Sequence, residues 1–278
     1  MHSTRFPAAA GTIWMTPDWP APPQVRSVFT TRAGGFSKAP FDHLNLGDHV
    51  GDATAHVARN RALLAATLAA RPVYLQQMHG VAVQTLEPST RDGACADAAV
   101  TQTPALACTV MVADCLPVLF AHRALPVVAA AHAGWRGLAA GVLENTFARF
   151  FALAQSQSGS VRARRQEVAA QTLVWLGPCI GAAAFEVGAE VRAAFVARLA
   201  GAQSCFTALP QAQKYLADLP ALARLCLAQM GIGQVFGNTG AADWCTLGNP
   251  ARFFSFRRDQ ARLGGTGRMA ACVWLRGP

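Results

Sequence analysis

The chain has 278 residues, of which 14% are charged and 52% hydrophobic, with a formal net charge of +9 at pH 7. At ~150 residues per domain this length allows one large domain or two small ones, and abundant apolar residues with few charges exclude a disordered chain. The most apolar stretch, Ala105 to Ala133, is interrupted by Asp114, Pro117, His122 and Arg123, so it lacks the run of ~18 apolar residues that a membrane span needs.

The opening MHSTRFPAAAGTIWM lacks the longer apolar run of a secretory signal peptide, so a cytoplasmic location is expected. Residues 1–24, with Pro17, Pro20, Pro22 and Pro23, read as an extended lead-in. Eight cysteines without an export signal are expected to stay thiols, and no C-x-x-C occurs to suggest a zinc ribbon or a redox motif. The basic residues are nearly all arginine and scattered. The tightest clusters, Arg162 with Arg164 and Arg165, and Arg257 with Arg258, lack the interleaved aromatics of a single-strand binder. A positive cleft for a small anion is the favoured reading over a nucleic-acid surface.

Ala107 to Asp114 and Pro117 to Ala121 are short β-prone runs, followed by a turn at HRALP and a third run, VVAAAHAG, ending near Gly134. The next segment, GLAAGVLENTFARFFALAQ, carries Leu138, Val142, Leu143, Phe147, Phe150 and Phe151 at helical spacing. The polar segment Ala154 to Glu167 reads as a surface loop inserted within one domain. Thr172 to Gly177 reads as a strand, PCIGAAAF as a loop, EVGAEVRAAFVARLA and LPALARLCLAQMG as helices, and MAACVWLRG as a closing strand. Hairpin-like neighbours mixed with strand–helix units predict an α+β or α/β sandwich with mixed sheets rather than a doubly wound parallel sheet.

Three strand-like runs end near a metal-type ligand: His79 in QQMHG, Cys115 in VADCLP and His132 in AAHAGWRG. Two imidazoles and a thiolate suit a three-ligand zinc site with one open position, which makes hydroxide available at neutral pH. The plainer alternative is hydrogen-bonded core histidines with Cys115 as a small hydrophobe. HAGWRG also suits an anion, with Arg136 beside backbone N–H groups at a helix start. Its alternative is a tight turn with Trp135 as a core plug. A Cys–His hydrolase is a further option: Cys115 as nucleophile, His79 or His132 as base, and Asp114 or Asp97 as the orienting group. Neighbours on a strand point to opposite faces, so Asp114 and Cys115 share a pocket only if the backbone turns there. No P-loop and no G-x-S-x-G elbow occurs.

Taken in order, TRAGGFS (Thr31 to Ser37), LNLGDHVGD (Leu44 to Asp52), Asn60-Arg61, QMHG, ADAAVT (Ala96 to Thr101), ADCLPV, HAGWRG, GPCIG, FEVG, FFSFRRD (Phe253 to Asp259) and TGRMA (Thr266 to Ala270) form a recognisable series. The chain resembles, nearly end to end, the family variously called laccase-domain proteins, multicopper polyphenol oxidases, purine nucleoside phosphorylases or peptidoglycan editing factor. The resemblance implies one domain over 1–278, layered α/β/β/α, with metal and substrate in a surface pocket. It implies Zn2+ at His79, Cys115 and His132. It also implies phosphorolysis of adenosine, inosine and methylthioadenosine, together with deamination of adenosine. Asp97 or Asp114 is then the candidate proton carrier, and Arg136, Arg257, Arg258 and Arg268 are candidates for an anion cradle, with surface salt bridges as their alternative. Met78 stands where many members have Val, and the Ala154 to Glu167 loop is longer and more polar than expected.

Three other functions stay open on the sequence. One is a hydrolase or editing enzyme for an amino-acid-bearing peptidoglycan precursor, and another is a non-catalytic metal-binding protein. The third, a copper polyphenol oxidase, is disfavoured because the chain has seven histidines and no His-x-His pair, although one His2Cys site can hold a copper ion. The expected partners are a nucleoside and phosphate, with no nucleic acid and no membrane, in a monomer or homodimer.

Overall fold

The structure is a computed structural model and describes residues 14–157 and 164–277. The first half of the chain forms β1 (Val25–Phe29), α1 (Thr54–Leu68), β2 (Arg71–Val73), β3 (Val83–Thr85), β4 (Ala98–Thr101), β5 (Leu106–Val112), β6 (Leu116–His122) and β7 (Val128–Ala133). It continues with α2 (Trp135–Ala140), α3 (Val142–Gln157), α4 (Arg165–Ala170), β8 (Thr172–Leu176), β9 (Glu186–Gly188) and α5 (Ala189–Val196). The last part holds β10 (Phe206–Ala208), β11 (Lys214–Ala217), α6 (Leu219–Gln229), β12 (Gln234–Gly237), α7 (Phe256–Leu263) and β13 (Met269–Leu275).

Every residue of β5, β6, β7, β8 and β13 is buried, which explains why their sequences read as continuous apolar runs rather than as alternating ones. They form two facing sheets, one of four strands in the order β1-β13-β5-β2 and one of six in the order β12-β8-β6-β7-β4-β3. Alternate side chains of each strand enter different layers of core. Phe29, Cys108, Val110, Leu119, Ala121, Ala130, Trp175 and Val273 fill the space between the sheets. Val118, Phe120, Ala129, Ala131 and Val174 face the opposite way, against Phe147 and Phe150 of α3 and Leu222 of α6. Ala107, Met111, Ala270 and Cys272 pack on Leu64 and Leu68 of α1. At ~1.5–3 kcal/mol per fully buried large apolar side chain, these three layers dominate the stability of the fold. The fold expected from the sequence, α+β with mixed sheets layered α/β/β/α, is therefore present, with a small third sheet β10-β11-β9 added beside it.

Several details differ from the sequence expectation. The long helix after Gly134 is two helices, because Gly141 adopts φ +103 between α2 and α3, a conformation that glycine reaches without a Cβ penalty. The start of EVGAEVRAAFVARLA is strand β9 rather than helix, pairing antiparallel with β11. The expected loop Ala154 to Glu167 is helical at both ends, in α3 and α4, and its residues 158–163 lie outside the described residues. So do residues 1–13 of the lead-in; residues 14–24 carry no strand or helix, only an isolated bridge from Met15 to Phe29. β5 and β6 are adjacent in sequence but lie in different sheets, so the chain must cross between layers within three residues. The crossing falls at Ala113, Asp114 and Cys115.

Candidate metal centre and its cavity

The crossing creates the site. Asp114 takes φ +88, uncommon for a non-glycine residue, and this turn puts Cys115 and Asp114 on the same cavity. Leu116 to Ala121 then pair antiparallel with Ala133 to Val128, which sets His132 on the neighbouring strand. The third residue, His79, comes from the segment after β2 and also has positive φ, +59. Gln77 holds that segment: its Oε1 accepts from Met111 N at 2.7 Å and its Nε2 donates to Met111 O at 2.8 Å. The amide side chain thus satisfies the backbone of β5 just beyond the point where β2 ends.

Asp97 joins the two histidine segments. Its carboxylate accepts from the backbone N–H of Met78 at 3.1 Å, His79 at 2.9 Å and Gly80 at 2.7 Å, and meets His132 Nδ1 at 2.8 Å. Burial works against charge on Asp97, but His132 and the backbone donors hold its carboxyl below the usual carboxylate range. The bond to Nδ1 leaves Nε2 of His132 as the ligating nitrogen, the arrangement by which a carboxylate orients a metal-binding imidazole.

The ligand atoms of His79, Cys115 and His132 all lie within 4.8 Å of one another. Cys115 Sγ is 3.7 Å from His79 Nε2, and the two imidazole centroids are 4.7 Å apart with the rings nearly perpendicular. Ligands around one tetrahedral zinc stand ~3.5 Å apart, so the donor set and its spacing fit a divalent ion. Burial opposes ionisation of Cys115, yet His132 and His79 outweigh it and bring the thiol well below its ordinary value. Burial likewise opposes charge on His132, while Cys115 and Asp97 raise its pKa. Gly134 gives the trio room: a Cβ there would stand 2.8 Å from His79 Cδ2 and 3.0 Å from Cys115 Sγ.

The trio lies in a cavity of about 450 Å³ that also carries Arg136, Arg257 and Arg268. Arg136 lies over the Trp135 ring at 4.6 Å. Arg257 donates to Glu186 O at 3.1 Å, and Arg268 donates to Thr266 O at 3.1 Å and Gly267 O at 3.2 Å. Burial lowers the pKa of Arg268 despite the charges of Cys115 and Asp114. The pocket's apolar surface comes from Phe185, Ile180, Trp135 and Phe256; Phe256, 49% exposed, stands at the start of α7.

Arg258 and Asp114 are each held in a network of hydrogen bonds. Arg258 does not line the cavity; its guanidinium is bound to Asp259 at 2.7–2.8 Å and to the carbonyls of Thr246, Leu247 and Phe253. Asp114 lines the cavity, but its carboxylate accepts from Thr246 Oγ1 at 2.6 Å, Ser255 Oγ at 3.0 Å and Arg257 N at 2.7 Å. It ties the sheet crossing to the N-terminus of α7. Asp97 is 1% exposed and absent from the cavity wall. Both carboxylates are thus engaged with neighbouring donors, Asp97 with four and Asp114 with three. Conversely, the sequence reading assigned no role to His49, Gln77, Phe185, Ile180 or Phe256, all of which line the cavity. His49 and Gln77 sit inside the segments LNLGDHVGD and QQMHG, which was the available signal.

A mixed α/β sandwich whose inter-sheet crossing brings Cys115 beside His79 and His132 defines the class. The chain belongs to the family described as multi-copper polyphenol oxidoreductase laccase, whose sequence pattern matches residues 26–276. It is 48% identical over 262 residues to the purine nucleoside phosphorylase PA4543 of Pseudomonas aeruginosa, covering 94% of this chain and 98% of that one. It is 47% identical over 263 residues to the purine nucleoside phosphorylase YfiH of Escherichia coli, with the same coverage. Among solved structures it resembles Neisseria meningitidis protein NMB0706 with a TM-score of 0.83 and 44% identity, over 95% of this chain and 99% of that one. Among the described residues, no helix is long and apolar enough to cross a membrane.

Proposed function

We propose that the protein is a metal-dependent purine nucleoside enzyme, which cleaves adenosine, inosine and methylthioadenosine with phosphate and deaminates adenosine. The observation that carries this reading is the joining of a His79–Cys115–His132 donor set to three arginines in one cavity. The names of the relatives point the same way. Zinc is the proposed ion, because a His2Cys set with one open position is a catalytic zinc arrangement. An ion held there supplies Lewis acidity at the cavity floor.

The chain's own residues supply the rest. Arg136, Arg257 and Arg268, all on the cavity wall, offer fork-shaped donors to a phosphate. Phe256, Phe185 and Ile180 offer apolar surface to a purine. Asp97 keeps His132 in one tautomer, and Asp114 fixes the backbone from which Arg257 projects. The stoichiometric objection to a multicopper oxidase stands, since the chain has seven histidines and no His-x-His pair.

The test is incubation of zinc-replete protein with adenosine, with and without phosphate, followed by chromatography. Phosphate-dependent adenine and phosphate-independent inosine are expected; the absence of both overturns the reading. A second reading is favoured by one observation: Asp97, His132 and Cys115 stand in the order of a Cys–His–Asp hydrolase triad. An amino-acid-bearing peptidoglycan precursor is its substrate. Turnover of that precursor by fully chelated protein would establish it, because the thiolate then works without a metal.

A further inference from the structure

The proposed reaction needs a proton carrier. Asp97 accepts from four donors and Asp114 from three, which commits both to holding the backbone around them, and His79, Cys115 and His132 form the donor set. Among the described residues, the remaining ionisable side chains on the cavity wall are Arg136, Arg257, Arg268 and His49. Arginine stays protonated at any relevant pH and cannot act as a base. His49 alone has the chemistry.

The surroundings of His49 are built to hold it. Its Nδ1 stands 3.5 Å from Asp48 Oδ1, and that same oxygen is 3.1 Å from Arg61. Arg61 is itself fixed by donation from Nε to Leu46 O at 2.9 Å and by lying 4.0 Å over the Tyr74 ring. Arg61, Asp48 and His49 thus form a series of ionic contacts at the cavity rim that places the imidazole beside a carboxylate, the neighbour a base has in hydrolytic triads. With Nδ1 toward Asp48, the ring's other nitrogen, Nε2, remains free as an acceptor.

The loop is anchored on both sides of the histidine. Asn45 donates to Gly47 O at 3.0 Å and Asp52 Oδ2 at 2.9 Å, while its Oδ1 accepts from Gly47 N and Arg268 N, each at 2.9 Å. The same amide therefore fixes the His49 loop and the backbone of Arg268. Gly47 permits the close approach, since a Cβ there would stand 2.7 Å from Arg268 Cγ.

We infer that His49 is the general base and then the general acid of this cavity, moving one proton from the attacking oxygen to the departing nitrogen. The inference rests on the nucleoside reading given above. In phosphorolysis, an oxygen of monobasic phosphate forms the bond to C1′, and its O–H proton passes to His49 Nε2. The bond from C1′ to the purine nitrogen breaks with its electron pair going to the base. The imidazolium then returns the proton to that purine, leaving neutral base and ribose 1-phosphate. Three charged neighbours face the ring: Asp48 on its own loop, Arg61 from α1 and Arg268 beside β13. Burial and Arg268 hold the His49 pKa below the usual imidazole value, outweighing Asp48, so the neutral, proton-accepting form prevails at pH 7.

Steady-state kinetics of zinc-loaded wild type, H49Q and H49A, with metal content measured for each, test this assignment. The expected result is a kcat lower by about 10²–10⁴-fold in both variants, with KM changed less than threefold and metal content unchanged. Added imidazole should restore much of the lost kcat to H49A and nothing to H49Q. The acid limb of the wild-type kcat profile, set below the usual imidazole range by protonation of the ring, should disappear in H49Q. If wild type turns over nucleosides and H49Q keeps kcat within threefold, the role of His49 is overturned while the nucleoside reading stands. A rise confined to KM, with no rescue by imidazole, also overturns it and leaves His49 a binding residue. If wild type turns over no nucleoside, both inferences fall together.

Discussion

Asp97 Oδ1 lies 2.8 Å from His132 Nδ1, and the same carboxylate accepts the backbone N–H groups of Met78, His79 and Gly80. One side chain therefore fixes the tautomer of one proposed ligand and the backbone position of another. Replacing Asp97 with Asn keeps the size and removes the charge. Metal affinity should fall about 10–100-fold, measured by competition with a chromophoric chelator.

The three proposed ligands differ in how deeply they are embedded, so their removal should have different effects. His79 is exposed and Cys115 half-buried, whereas His132 is 3% exposed and opposes the buried Asp97. His79→Ala and Cys115→Ser should lose the metal by elemental analysis while keeping the circular dichroism and urea midpoint of the apo wild type. His132→Ala should also lose about 3–5 kcal/mol of stability, because it strands a buried carboxylate. Equal destabilisation by all three would point to a structural ion.

Gly134→Ala tests the packing around the trio. The added Cβ would press on His79 Cδ2 at 2.8 Å and Cys115 Sγ at 3.0 Å, while its own φ of −62 suits alanine. Metal stoichiometry should drop with little loss of helical signal. Full occupancy in the variant would show that the trio has more freedom than the structure describes.

Asp114→Ala removes the acceptor shared by Thr246, Ser255 and Arg257. A loss of about 2–4 kcal/mol in urea unfolding is expected, since hydrogen bonds to a charged acceptor are among the stronger ones. In an active preparation, the KM for phosphate should rise as α7 and Arg257 lose their anchor.

Asp259 gives a pH signature. Burial opposes its charge, but the bidentate contact with Arg258 and the Ser255 backbone outweigh this and hold its pKa below the ordinary value. A carboxyl with a depressed folded-state pKa contributes stability above its unfolded value of ~3.9, and loses that contribution as pH falls through the folded pKa. Asp259→Asn should therefore be clearly less stable than wild type at pH 7, and the difference should shrink steadily below pH 4. A constant gap in urea midpoints down to pH 2.5 would contradict this.

The parts of this molecule that were legible in the sequence are those set by short-range periodicity. β5, β6, β7, β8 and β13 show as apolar runs, and two of the proposed ligands, Cys115 and His132, show at the ends of such runs. What stayed hidden depends on layers and rotation. Nothing local says that β5 and β6 part into different sheets, and that parting is what puts Asp114 and Cys115 on one cavity. Arg257 and Arg258 are neighbours in sequence, but successive residues on a helix are rotated by ~100°. One therefore reaches the cavity while the other turns to Asp259. The donors that converge on Asp97 and Asp114, backbone N–H groups on one and two distant hydroxyls with a backbone N–H on the other, also lie beyond what sequence shows.

The place of β13 has a consequence for biosynthesis. It follows β5 by more than 150 residues and β1 by more than 230, yet it lies between them, pairing antiparallel with both. While the ribosome is still adding these residues, its two neighbours present open backbone edges and uncovered apolar faces, the kind of surface that recruits other chains. Insertion of this one segment closes that sheet and delivers Arg268 to the cavity in the same event, so a chain stopped before it would lack both the sheet's middle strand and one of the cavity's cations.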